Sequence, residues 1–384
     1  VAERAVLVAG AGIAGLTLAL ALARRGIATR VFERQETPDP GGAGIQLSPN
    51  AARVLIGLGL GDALEEVAGR PDALIVRSAA TGRVIVRLPL GDAIAKRHGA
   101  PYWVVHRGDL AGLLSEAATR SPLIELRRGA SINSFEEGPS GIRVRLGTET
   151  AEGEVLVGAD GVWSRMRGSA ARFSGRIAMR ARVDAAAFDR EILTSTGLWL
   201  GPKAHLVHYP IRGGREINLV VILEGGWTAE RWDEPGDAGE INARFVNWPA
   251  PARQLVAAAP SWRRFALATV DPATRWVNGR VALIGDAAHA MLPFAAQGGA
   301  MAIEDATVLA RHLSETTRPV AERLAAYEAE RRPRVLRVAR TAALNGRVYH
   351  LSGAAAFARD AALRLLGARG MARRLDWLYG WRDG

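Results

Sequence analysis

Apolar residues run unbroken from Ala5 to Ala9, yield to Gly10-Ala11-Gly12-Ile13-Ala14-Gly15, and return from Leu16 to Ala23 with only Thr17 polar. The first run is short and β-leaning and the second has the length of a buried helix, so the pattern predicts strand, glycine turn, helix. Ile27 to Phe32 reads as a second strand, ending at Glu33. Two later apolar runs, Val155 to Ala159 and Val281 to Ile284, each stop at a small residue and a carboxylate, Asp160-Gly161 and Gly285-Asp286. Such runs belong to strands buried on both faces of a parallel sheet. A short helix holding Trp163 and Arg165 is expected after the first, and a helix from Ala302 to His312 after the second.

Elsewhere the period changes. Pro38 to Gly44 reads as a loop, Ile45 to Pro49 as an extended piece, and Asn50 as the candidate N-cap of a helix. Two β-rich pieces between Ala73 and Leu90 flank Thr81-Gly82 as a hairpin, and Trp103 to Arg107 is a strand running into a helix near Gly108. From Arg176 to Leu223 short alternating runs, among them His205-Leu206-Val207-His208-Tyr209, predict an antiparallel sheet forming a second domain. The end of the chain is helical. Its segment Ala354 to Leu366 is amphipathic and basic, and either packs on the domain behind it or lies on a membrane surface.

Composition narrows the class. A chain of 384 residues with 48% hydrophobic and 23% charged residues buries large cores, which excludes disordered and fibrous classes and points to two or more domains. The formal charge of +11 comes from scattered arginines rather than one run, which argues against nucleic-acid binding and leaves at most a mild attraction for anionic ligands. Ala5 to Ala23 is almost long enough to imitate a membrane span, but its three glycines fall in the strand-to-helix turn. With no secretion pattern and no cysteine, the expected location is the cytoplasm. Eight of the ten tryptophans lie between Trp103 and Trp276, a distribution that suits sheet packing better than a cofactor box.

The glycine turn carries the first chemistry. Gly10 permits the tight turn, Gly12 lets backbone approach a pyrophosphate, and Gly15 lets helix and strand pack closely, leaving the helix N-terminus to the phosphates. Glu33 is placed to take both hydroxyls of an adenosine ribose, which means NAD or FAD rather than NADP at this site. Arg107, at a strand end beside a helix start, suits a phosphate contact or a surface ion pair. Asp160 and Asp286 taken singly are as well explained as helix caps. Taken together, three strand-end motifs describe one dinucleotide site.

These three stretches, with Gly158-Ala159-Asp160-Gly161-Val162-Trp163-Ser164 and Gly285-Asp286-Ala287-Ala288-His289 followed by Pro293 and Gln297-Gly298, resemble the class A flavoprotein monooxygenases related to para-hydroxybenzoate hydroxylase. Gly42 to Asn50, His205 to Pro210 and Ala302-Ile303-Glu304-Asp305-Ala306 are most similar to the salicylate, 3-hydroxybenzoate and 6-hydroxynicotinate hydroxylases. The resemblance covers nearly the whole chain. It implies an α/β fold in which a Rossmann-like FAD-binding domain (1–72, 97–172, 273–320) is interleaved with an antiparallel substrate sheet (73–96, 173–272) and followed by C-terminal helices (321–384). It also implies that FAD contacts Gly10, Gly12, Ala14, Gly15, Glu33, Arg34, Gly44, Arg107, Asp160, Gly161, Gly285, Asp286, Gly298, Gly299 and Ala300. Where many members carry Gly-Gly-Gln-Gly-Met-Asn, this chain has Ala295-Ala296-Gln297-Gly298-Gly299-Ala300, so only backbone donors remain to serve the flavin pyrimidine edge.

The implied reaction is hydroxylation of an aromatic or heteroaromatic acid through a flavin hydroperoxide, with NADH or NADPH as transient reductant and O2 as co-substrate. The partners are small molecules, with the chain a monomer or homodimer, no nucleic acid and no membrane span. A flavin-dependent epoxidase or reductase acting on an isoprenoid or polycycle, and a non-catalytic FAD redox sensor, are the alternatives. The absence of a second Gly-x-Gly-x-x-Gly unit and of cysteine counts against two-nucleotide-domain flavoproteins and disulfide reductases. Gln46, Gln297 and Pro293 are candidate substrate neighbours, although both glutamines also suit a bracing role. Alternation puts His205 and Tyr209 on one face of their strand and His208 on the other. The resemblance then favours His205 as base or hydrogen-bond partner of a phenol, with Tyr209 its neighbour; the competing explanation is a solvent-facing edge histidine and a tyrosine packed under Pro210. His289 is expected to be structural.

Overall fold

The structure, a computed structural model, describes residues 5–37, 43–228 and 232–384. Of the loop expected from Pro38 to Gly44, the part up to Gly42 lies outside the described residues, and Gly44 already belongs to strand Gly44–Leu47. Val6–Ala9 is a four-residue strand buried throughout, and Gly10 turns the chain with φ +104° into helix Ile13–Ala23. That helix is apolar on all sides, as an element covered on every face must be. Its strand sits inside a six-stranded sheet in the order Val277–Asn278, Val281–Leu283, Val155–Gly158, Val6–Ala9, Thr29–Glu33, Ile124–Arg128. All pairs are parallel except the first, with Leu7 beside Leu156 and Leu156 beside Val281. Helix Gly298–Ser314 packs against Ile13–Ala23.

A second sheet has eight strands in the order Asp233–Gly236, Trp262–Thr269, Arg172–Asp184, Glu216–Glu224, Ala204–Ile211, Ser195–Gly201, Ala73–Ser78, Val84–Pro89. It is mixed rather than wholly antiparallel, because Ala73–Ser78 runs parallel to Ser195–Gly201. The hairpin expected around Gly82 is present. One face, through Met179, Trp199, Leu206 and Val221, packs with helices Ala238–Phe245 and Ala250–Ala257. The other carries Ala178, Ile222 and Leu198 inward.

The long C-terminal helices are Val320–Tyr349 and Gly353–Tyr379, the latter broken at Gly367 (φ +60°, ψ −176°) and packed on strand Val84–Pro89. Within the segment Ala354 to Leu366, Leu363 packs on the sheet and Arg359 and Asp360 are buried, while Phe357 and Leu365 are exposed; no described helix is long and apolar enough to cross a membrane. Two local expectations need correction, and one element is new. The chain after Asp160-Gly161 makes turns, not a helix. The cap position of helix Pro49–Gly57 is Ser48, because Pro49, which lacks an N–H, fills the first helical position and draws the helix start back; Asn50 is inside. A third sheet, Ser134–Glu137, Ile142–Leu146 and Glu149–Gly153, was not anticipated.

Candidate active site

Four chain segments meet where the strands of the six-stranded sheet end. Val281–Leu283, Val155–Gly158, Val6–Ala9 and Thr29–Glu33 are successive parallel neighbours, so Gly285-Asp286, Asp160-Gly161, the glycine turn and Glu33 emerge side by side at their carboxyl ends. Packing there demands glycine. A Cβ on Gly10 would stand 2.5 Å from the carbonyl oxygen of Ala159, and one on Gly285 would stand 2.9 Å from Ala302 Cβ and 3.3 Å from Ala14 Cβ. A Cβ on Gly12 would meet nothing within 4 Å, so its backbone is open to a ligand.

The polar groups fit a dinucleotide. Glu33 accepts hydrogen bonds from the N–H of Ala11 (2.8 Å) and of Gln35 (2.9 Å), which hold its carboxylate across the turn. Asp160 Oδ2 accepts from the N–H of Arg165 at 2.9 Å, while its Oδ1 is buried with no hydrogen-bond partner among the described residues. A buried carboxylate oxygen left bare is costly, so it marks where a ligand hydroxyl would donate. Asp286 begins the short helix Asp286–His289, and a Cβ on Gly298 would lie 3.9 Å from its Oδ1. Gly298 to Ala300 form the first turn of Gly298–Ser314, whose N–H groups have no intrahelical acceptor. A cleft of about 1160 Å³ runs past Gly12, Glu33 and Arg107 to Arg180, Arg263 and Phe265 on the second sheet.

That sheet's inward face carries the second part of the site. Strand Ala204–Ile211 is central, so His205 is not an edge residue in solvent; it is buried, with its ring 5.1 Å from Phe294 and 5.5 Å from Tyr349. Its Nδ1 lies 2.9 Å from His350 Nε2. Burial, then His350 and Arg176, hold the His205 imidazole well below its ordinary pKa, so it is neutral. Tyr209 shares the face but stands four residues on, roughly 13 Å along a strand, packed against Gly44. It is not the neighbour of His205; His350 is. Burial pushes the Tyr209 hydroxyl up, so it stays protonated. His208 faces away, against Gly197.

A family model described as FAD binding domain matches residues 3–342. The chain belongs to the class A FAD-dependent aromatic hydroxylases. It is 35% identical to 3-hydroxybenzoate 6-hydroxylase of Klebsiella oxytoca, over 99% of this chain and 97% of the relative. Among solved structures it resembles a salicylate hydroxylase substrate complex (TM-score 0.84, 25% identity, covering 99% of this chain and 96% of that one). It also resembles Klebsiella pneumoniae HpxO complexed with FAD and uric acid (TM-score 0.86, 26% identity, 98% and 96%). The hydroxylase is thus an FAD-dependent monooxygenase.

Gln297 of the hydroxylase does not face the ring site. Its side chain is buried, donating to Ser48 Oγ at 2.9 Å and accepting from Asn50 Nδ2 at 3.1 Å. Asn50 also donates to Glu304 at 2.7 Å, and Glu304 is gripped by Arg331 and Arg334, both at 2.7 Å. Beside it Asp305 takes Arg331 Nε at 2.8 Å, His289 Nε2 at 2.5 Å and the N–H of Gly285 at 3.0 Å. Gln297 braces the start of helix Gly298–Ser314, and His289 is structural as expected. Gln46 accepts from the Tyr102 hydroxyl, Pro293 opens the turn that presents Phe294 to His205, and Ala296 takes φ +52°, a left-handed conformation uncommon for a residue other than glycine. Arg34 and Arg107 are exposed, the latter in the cleft. Sequence reasoning missed His350, Arg331 and Arg334. The adjacent acids Glu304-Asp305 inside an apolar helix were the signal for the last two, since buried carboxylates need cations.

Proposed function

We propose that this hydroxylase acts on a monocyclic hydroxylated aromatic or heteroaromatic acid, with His205 drawing the proton from the ring hydroxyl. The observation that carries the reading is the burial of a neutral imidazole on the inward sheet face, opposite the Pro293 turn. A phenol is a poor nucleophile until its proton is removed, and a neutral imidazole is the side chain suited to accept it. Arg176 and Arg180 lie on the same face and supply positive charge for a substrate carboxylate. The hydroxybenzoate and salicylate named for its relatives have this chemistry.

FAD, when bound, supplies the electron transfer from NAD(P)H and the activation of O2. Gly10, Gly12, Glu33, Arg107, Asp160 and Asp286 would hold it, with the N–H groups of Gly299 and Ala300 stabilising negative charge. On this reading 1–72, 97–172 and 273–320 form the cofactor domain, 73–96 and 173–272 the substrate domain, and 321–384 the C-terminal helices; the strand membership of the two sheets supports the division.

His205→Ala should retain FAD and still oxidise NAD(P)H when a phenolic acid is added, but divert reducing equivalents to hydrogen peroxide. The test is oxygen and peroxide stoichiometry across a panel of hydroxybenzoates. Failure of every such acid to stimulate NAD(P)H oxidation, beside a response to an isoprenoid or large polycycle, would overturn the substrate class.

A further inference from the structure

Behind His205 stands a second imidazole and then a carboxylate. His205 Nδ1 meets His350 Nε2 at 2.9 Å, and His350 Nδ1 reaches Glu224 Oε1 at 3.4 Å. Glu224 ends strand Glu216–Glu224, next to the strand of His205, while His350 caps the C-terminus of helix Val320–Tyr349. Exposure rises along the chain, from 3% for His205 and 4% for the His350 side chain to 43% for that of Glu224.

The direction of these bonds follows from donor inventory. An ionised carboxylate only accepts, so His350 must carry its hydrogen on Nδ1 and leave Nε2 bare. That bare nitrogen requires His205 to donate from Nδ1, which leaves His205 Nε2 without a proton. One carboxylate at the surface therefore selects the basic tautomer of a histidine two residues removed from it. Burial first of all holds both rings below their ordinary pKa and so neutral at rest, and the charged groups around the pair adjust that balance. Arg176 disfavours a positive charge on either ring, Arg359 (paired with Asp360) donates to the carbonyls of Val348 and Tyr349 beside His350, and Glu224 alone pulls the other way. The carbonyls at the helix C-terminus favour a transient cation on His350. A proton is thus accepted there without being trapped.

We propose that His350 and Glu224 are positioning residues that keep His205 Nε2 bare and conduct the proton it takes from the substrate out to solvent. This rests on the reading of His205 as the base. In the transfer the substrate O–H breaks and its proton joins His205 Nε2. The Nδ1 proton of His205 passes to His350 Nε2, and that of His350 Nδ1 passes to Glu224 and water. One proton leaves the site for each phenolate formed, with no redox change.

The test mixes oxidised, FAD-loaded enzyme with 3-hydroxybenzoate or salicylate, with binding followed by perturbation of the flavin spectrum. Phenolate absorbance and a pH indicator report ionisation and proton release. Wild type should release one proton per ligand bound. His350→Asn and Glu224→Ala should release it on the order of 10²-fold more slowly. Formate should accelerate Glu224→Ala in proportion to its concentration and leave His350→Asn unmoved, a rescue that a purely structural role would not give. Glu224 is exposed enough for its loss to spare the fold. Wild-type release rates in both variants, with none in His205→Ala, would overturn the relay alone. No release from wild type, release unchanged in His205→Ala, or no binding of either acid would overturn the base assignment beneath it.

Discussion

Arg331→Met should unfold the cofactor site from behind. Arg331 is 1% exposed and its guanidinium spans two fully buried carboxylates, Glu304 at 2.7 Å and Asp305 at 2.8 Å. Burial alone would raise the Asp305 carboxyl; His289 and Arg331 outweigh it and hold it at about 2. Glu304 keeps Arg334 in the variant, but Asp305 keeps only His289 and one backbone N–H. Removing one partner of a buried ion pair costs about 3–5 kcal/mol, because the remaining buried charge loses much of its compensation. With an unfolding entropy of about 2.1 cal/mol/K per residue over 384 residues, a loss of ~4 kcal/mol lowers Tm by about 5 °C. Because Asp305 holds the N–H of Gly285, FAD retention should fall with it. Thermal unfolding followed by flavin fluorescence measures both. Adding Asp305→Asn should recover part of the loss, since no bare charge then remains. An unchanged Tm with full flavin retention in Arg331→Met would refute the reasoning.

His208 is buried and held neutral, its pKa pushed to about 3 by burial and then by Arg77. Its folded value is depressed, so the associated stability is intact above the unfolded value of 6.5 and is lost as pH falls toward 3. By about pH 5 the loss is ~2 kcal/mol, and His208→Asn should flatten that decline in urea unfolding; parallel pH slopes for variant and wild type would contradict it. Asp286→Ala should purify depleted of FAD while keeping its Tm without flavin, and full occupancy with normal affinity in equilibrium dialysis would show the carboxylate does not hold the cofactor.

Local signals carried most of the cofactor side. The run Val6–Ala9, its glycines and Glu33 are contiguous, and each conformational demand, such as φ +104° at Gly10, is met by the residue that shows it. The alternation of His205 and Tyr209 across one strand was equally readable, because side-chain period is a backbone property. What escaped depended on partners far away in the chain. The parallel pairing of Ala73–Ser78 with Ser195–Gly201 is made between two stretches whose own patterns do not name each other. In the small sheet, strand Ser134–Glu137 is exposed throughout and shows no alternation, whereas Ile142–Leu146 does alternate and was legible but passed over. Gln297 looked like a ring neighbour until Ser48 and Asn50, some 250 residues earlier, took up its amide. His350 gave no local sign at all, since a lone histidine at a helix end is ordinary.

The interleaving of the two sheets has a cost in time. Strand Val6–Ala9 needs Val155–Gly158 beside it, and that strand in turn needs Val281–Leu283. At about 5–20 residues per second of synthesis, roughly 15–60 s separate the first of these from the last. Meanwhile the apolar helix Ile13–Ala23 has no lasting cover, and Ala73–Ser78 waits roughly 6–25 s for Ser195–Gly201. Such non-local parallel pairings also close slowly. Any fragment ending before residue 283 therefore lacks a strand of its nucleotide sheet.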